Sequence, residues 1–154
     1  MRRILPIVLL LGTALSLRAA DPVLGVWHLN VAKSRYDPGP PPKAETRTYR
    51  QEKGEIKAVV TTLHKNGNSD TVYYPATYDG KAHPVSGAAD RDGIVMTLTN
   101  EYTAESLITH AGKTIGRASR TVSADGLTMT ITFRGVAANG QQVNNTAYYV
   151  KEKE

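Results

Sequence analysis

The chain has 154 residues, 40% of them hydrophobic and 21% charged, enough for one globular domain with a modest core. It holds no cysteine, which excludes disulfides, thiolate metal sites and a cysteine nucleophile. The formal charge of +5 is inflated by Arg2, Arg3 and Arg18; without those three the balance against 14 acidic residues is +2, too little for a phosphate-binding face, so no nucleic-acid partner is expected.

Those arginines belong to a leader. Residues 1–20 open on a basic pair, continue through an apolar run from Ile4 to Leu17 and end on the small-residue exit Arg18-Ala19-Ala20, the pattern of an export signal. The run is shorter than the roughly 20 apolar residues a membrane helix needs, and no cysteine follows to carry a lipid. The sequence therefore predicts an exported protein, periplasmic or secreted, with no membrane span after the signal is removed. Its mature domain, 21–154, is held by burial and strand pairing alone.

That domain opens on Leu24-Gly25-Val26-Trp27-His28-Leu29-Asn30, an apolar strand candidate carrying the only tryptophan. Between Val31 and Glu45 lies Asp37-Pro38-Gly39-Pro40-Pro41-Pro42, where prolines remove donors and fix φ, so the segment reads as an extended connector. From Thr46 onward β-rich runs alternate with turn signals at Lys53-Gly54, Asn66-Gly67-Asn68, Asp79-Gly80, Arg91-Asp92-Gly93, Ala111-Gly112, Asp125-Gly126 and Asn139-Gly140. The predicted strands are 46–52, 55–64, 70–78, 94–99, 102–110, 113–122, 127–134 and 141–150, and no helical stripe interrupts them. A meander of hairpins with one wet face leaves sheet edges open unless it closes, so the expected fold is all-β, an antiparallel up-and-down barrel of about 8 to 10 strands. The alternative is an antiparallel sandwich.

The clearest alternation, Leu127, Met129, Ile131 and Phe133 against Thr128, Thr130, Thr132 and Arg134, marks a core face. Two registers are open for its partner strand. A two-residue turn at Asp125-Gly126 pairs Val122 with Met129, Arg120 with Ile131 and Ala118 with Phe133, turning Arg120 inward; a one-residue slip turns Arg117 inward. The first is preferred because its apolar mates match the apolar row. An inward arginine keeps its charge and needs a partner, either backbone and water in a structural role or the head group of a bound anion. On the last strand Val143, Asn145, Ala147 and Tyr149 share one face, making Tyr149 and Asn145 candidate polar handles.

These pieces resemble the calycin group, the lipocalins and fatty-acid-binding proteins, and small exported bacterial lipocalin-like domains in particular. Gly25-Val26-Trp27 is similar to the Gly-x-Trp opening the first strand in that group, where the tryptophan plugs the barrel base. The run from Ser119 to Gly126 resembles the arginine-bearing strand and turn of the intracellular lipid-binding branch, and Ala147-Tyr148-Tyr149-Val150-Lys151 its closing strand. The resemblance implies a cavity in which Arg120 and Tyr149 contact a ligand carboxylate, with Asn145 and Trp27 as further candidate ligand-binding residues. The branch's second arginine is replaced by Ala147, and its helical lid by the proline-rich connector.

The four histidines, His28, His64, His83 and His110, fall on separate predicted strands or turns without metal spacing. Asp90-Arg91-Asp92-Gly93 has too few ligands for a calcium loop and reads as a hairpin turn. Tyr73-Tyr74, Tyr78 and Tyr148-Tyr149 read as wall packing rather than stacking platforms. The expected function is binding of a small apolar or amphiphilic molecule, a carboxylate among them, by a monomeric barrel without metal or cofactor and with no catalytic residues. The alternatives are a packed structural or protein-interaction barrel, and a barrel enzyme requiring an inward acid and base within hydrogen-bond reach.

Overall fold

The computed structural model describes residues 20–153; the expected leader lies outside them, save Ala20. Ten antiparallel strands form one sheet: β1 (Gly25–Leu29), β2 (Ala44–Glu52), β3 (Glu55–Leu63), β4 (Ser69–Pro75), β5 (Ala82–Pro84), β6 (Gly93–Asn100), β7 (Thr103–His110), β8 (Lys113–Val122), β9 (Thr128–Val136) and β10 (Gln142–Lys151). Their order, β4-β3-β2-β1-β10-β9-β8-β7-β6-β5, is a meander whose first strand pairs with its last. The two edges meet at one bridge, where Tyr73 and Ser86 exchange both backbone hydrogen bonds at 2.9 and 3.0 Å. Gly87 makes that approach feasible: its φ is +82°, and a Cβ there would stand 2.0 Å from the Thr71 carbonyl oxygen. The sheet is thus a nearly closed barrel, and the sandwich alternative is set aside.

Turn chemistry explains the meander. Glu52 pairs with Glu55 and His110 with Lys113, leaving two-residue loops in which Lys53 (φ 50°) and Ala111 (φ 48°) join Gly54 and Gly112 at positive φ. That geometry follows the right-handed twist of the flanking strands, even though neither Lys nor Ala favours it. Gly116 and Gly135 face each other across β8 and β9 beneath the Phe133 ring, which lies 2.5 Å from where a Gly116 Cβ would be. The ring occupies the space those missing side chains leave.

One end of the barrel is packed solid by Val23, Trp27, Ala104, Val122 and Met129, all at most 2% exposed. Trp27 Nε1 donates to the Val23 carbonyl at 2.7 Å, and the Lys151 ammonium lies 5.2 Å from the ring centroid. Lys151 reaches that position across Gly25, whose φ of +129° and absent Cβ clear its path. The glycine and the tryptophan therefore serve one base plug.

The preferred register of β8 against β9 is the one formed: Val122 pairs with Met129, Arg120 with Ile131 and Ala118 with Phe133. Its turn differs from expectation. Ser123 N–H donates to Thr128 O and Gly126 N–H to Ser123 O, so the loop runs from Ala124 to Leu127. Leu127, expected on the core face, lies in that loop and is 56% exposed. Strand β5 went unforeseen, being three residues inside a polar stretch, and a 3₁₀ turn at Val31–Lys33, capped by the Asn30 side chain, precedes the proline run.

Candidate binding cavity

Above the base a cavity of about 860 Å³ runs inside the barrel, within the size range of small-molecule sites. Its walls are mostly apolar, with Val60, Val72, Ile94, Met96, Ile108, Ile131 and Phe133 among them. Towards the mouth it abuts a cleft of about 660 Å³ between Pro40-Pro41-Pro42, the β3–β4 turn and the loop before β6, and Tyr36, Glu45 and Asn145 are among the residues the two share.

The polar groups inside fall into two clusters. One is built on β2, where Glu45, Arg47 and Tyr49 occupy alternate positions facing the interior. Arg47 Nε donates to Glu45 Oε1 at 2.7 Å and to the Tyr149 hydroxyl at 3.0 Å; that hydroxyl donates to Glu45 Oε1 at 2.6 Å. Thr62 adds a weaker bond to Glu45 Oε2 at 3.3 Å, and the Arg47 guanidinium stacks 5.3 Å from the Tyr149 ring centroid. Burial raises the Glu45 carboxyl, but Arg47 and the hydrogen bonds outweigh it and hold the group below its ordinary range. Burial pushes the Tyr149 phenol well up, and the Glu45 charge adds to that. The pair is an inward acid and base within hydrogen-bond reach, yet both titrate away from neutral pH, where proton exchange would need them poised.

The other cluster surrounds Arg120. Its place on β8 lies between Val122 of the packed base and Ala118 of the cavity wall, so the guanidinium forms part of the cavity floor. Nη2 donates to the Tyr78 hydroxyl at 2.6 Å, and the guanidinium lies 5.4 and 5.5 Å from the Tyr49 and Tyr78 ring centroids. Nε and Nη1 are buried and have no hydrogen-bond partner among the described residues. Burial works against the charge, but Tyr49, Tyr78 and Tyr74 outweigh it, so Arg120 stays a cation. Tyr49 joins the clusters: its hydroxyl is 3.1 Å from that of Tyr74, and both guanidiniums act on it, more than offsetting burial so that its phenol lies below the ordinary value.

Of the residues singled out from the sequence, Arg120 and Tyr149 are brought to the cavity wall, though in separate clusters. Asn145 sits at the mouth, where its side-chain oxygen accepts from Asp37 N–H at 3.1 Å and, with the Arg35–Thr146 bridge, pins the connector to β10. Trp27 does not line the cavity; it is wholly buried in the base. Glu45, Arg47 and Tyr78 were missed. A signal existed in the alternation Glu45-x-Arg47-x-Tyr49, but with Thr46, Thr48 and Arg50 between them both faces of β2 look polar.

Each histidine faces a carboxylate on the outside or the rim: His28 with Glu152, His64 with Asp70, His83 with Asp79 and His110 with Asp92. Among the described residues no group of three His, Asp or Glu side chains could hold a metal ion. Tyr74, Tyr78 and Tyr149 are turned towards the interior, whereas Tyr73 is half exposed on the outside. Fold and interior define a nearly closed antiparallel β-barrel of ten strands with an apolar cavity and a cationic floor. No family model matches the chain, and no curated protein matches it.

Proposed function

We propose that this is an exported, monomeric, lipocalin-like barrel that binds a small amphiphilic molecule in its interior, apolar portion against the walls and anionic head on Arg120. The observation that carries the reading is the pair of buried, partnerless donors on Arg120 at the floor of an apolar cavity. A buried cation with unmet donors is costly unless something arrives to meet them, and a carboxylate fits the guanidinium fork. Tyr149 holds Arg47 and Glu45 in place, Asn145 ties the connector over the mouth, and Trp27 seals the base. The cavity itself weighs against the alternative of a barrel with a packed interior.

The test is displacement of a fluorescent acyl carboxylate probe from the mature protein, with native mass spectrometry of the protein recovered from its exported compartment. Binding should weaken by about 10- to 100-fold in Arg120→Ala, the loss expected of charge-assisted hydrogen bonds. Unchanged affinity removes the anchor; failure of the wild type to bind the probe, with no copurifying small molecule, overturns the reading.

A further inference from the structure

The two arginines of the interior are not equivalent. Arg47 is matched at 2.7 Å by Glu45, whose side chain is only 11% exposed and which also receives the Tyr149 and Thr62 hydroxyls. Arg120 faces tyrosines alone within the cavity. At the mouth Asp90 and Arg91 form their own pair at 3.7 Å, and His110 leans on Asp92. Asp21 lies outside the lining of the cavity: it acts on the Tyr78 hydroxyl, and its Oδ1 accepts the Val23 N–H at 2.9 Å. The interior therefore carries one positive charge in excess, with a fixed carboxylate on the far side of Tyr49 from it.

We propose that Glu45 is a specificity-determining residue, restricting the cavity to ligands whose head group carries a single negative charge. The proposal rests on the binding reading above and deepens it. A monoanion on Arg120 leaves the interior neutral. A head group with two negative charges finds one counter-charge spent, because the Arg47 guanidinium is engaged by Glu45 and that of Arg91 at the mouth by Asp90, and its second charge is repelled in a medium that screens poorly. An uncharged head leaves the Arg120 donors unmet. Geometry supports the coupling: Arg47 and Tyr49 are alternate residues of β2 that both line the cavity, and the Arg120 guanidinium lies 5.4 Å from the Tyr49 ring centroid, so the clusters lie one side chain apart.

The experiment compares three competitors sharing one dodecyl chain, the carboxylate, the alcohol and the alkylmalonate dianion, each displacing the acyl probe from the mature protein at pH 8. Wild type should bind the carboxylate best. Glu45→Gln frees the Arg47 guanidinium and should raise malonate affinity relative to carboxylate by about tenfold, the effect of one charge removed at ~10 Å in an effective dielectric of ~20. Glu45→Gln with Arg47→Met restores one excess charge and should restore the wild-type ratio. Should Glu45→Gln fail to fold, Arg47→Gln serves in its place: it neutralises the interior and should level carboxylate with alcohol. If the wild type binds the carboxylate but these ratios do not move, the role of Glu45 falls and the binding reading stands. If the wild type binds neither the probe nor any competitor, both fall.

Discussion

Arg120 and Tyr78, 42 residues apart in sequence, meet through one hydrogen bond of 2.6 Å, the only one the guanidinium makes among the described residues. The rest of the group is buried against aromatic faces. A cation held this way detracts from the stability of the empty barrel, because two of its buried donors are left unmet. Arg120→Met, similar in length and apolar, should therefore stabilise the empty protein by about 1–3 kcal/mol while abolishing head-group capture. Urea denaturation of the two proteins measures it, and a destabilised variant would mean that the cation holds the floor together.

The Glu45–Arg47–Tyr149 cluster should behave oppositely, since its members satisfy one another. Tyr149→Phe deletes the donor to Glu45 and the acceptor for Arg47 Nε, and should cost about 1–3 kcal/mol. The carboxyl of Glu45 is held below its ordinary value of 4.5, so its contribution is complete above that pH and is lost as pH falls through the lowered value. Acid denaturation followed by circular dichroism should show a destabilisation below pH 4.5 that is weaker in Glu45→Gln.

Alkaline behaviour carries the reverse sign. Burial raises the phenols of Tyr36 and Tyr78 from 10.0 to about 12. An unfolded chain ionises them first, so their stabilising share is intact below pH 10 and is lost as pH climbs towards 12. Tyrosinate absorbance should lag behind that of free tyrosine while the barrel holds, then rise with the loss of far-ultraviolet β signal. A titration in which all tyrosines ionise together near pH 10, with the fold intact, would contradict this.

The β7–β8 turn offers a gain. Ala111 adopts φ 48° in a two-residue loop, a conformation that asparagine tolerates better than alanine. Ala111→Asn should relieve part of the roughly 1–2 kcal/mol that a left-handed residue bearing a Cβ costs. Lys53→Asn should do the same at the opposite end, and the two effects should add because the sites share no partner. Thermal melts of the single and double variants check both size and additivity.

Most of the fold could be read from the sequence because turns and alternation are local signals. The Asn-Gly, Asp-Gly and Ala-Gly punctuation delimits the strands, and β8 matches its predicted span of 113–122 residue for residue. The β8–β9 register follows from apolar matching, which by itself turns Arg120 inward. What escaped depends on neighbours distant in sequence. Glu45 reads as the end of the connector and Arg47 as a solvated strand residue until β10 brings Tyr149 beside them, across more than 100 residues. Tyr78 closes the predicted strand 70–78, but β4 ends at Pro75, so strand alternation does not give its direction. Strand β5 is too short to leave a pattern, and its pairing is set by β6.

The sole indole of the chain is sealed beneath a lysine ammonium in the base, apart from the cavity walls. Its emission therefore monitors whether the barrel floor is intact rather than whether a guest is present. Quenching by acrylamide should stay low as long as the floor holds, which gives the protein a built-in integrity gauge independent of any assay run at its mouth.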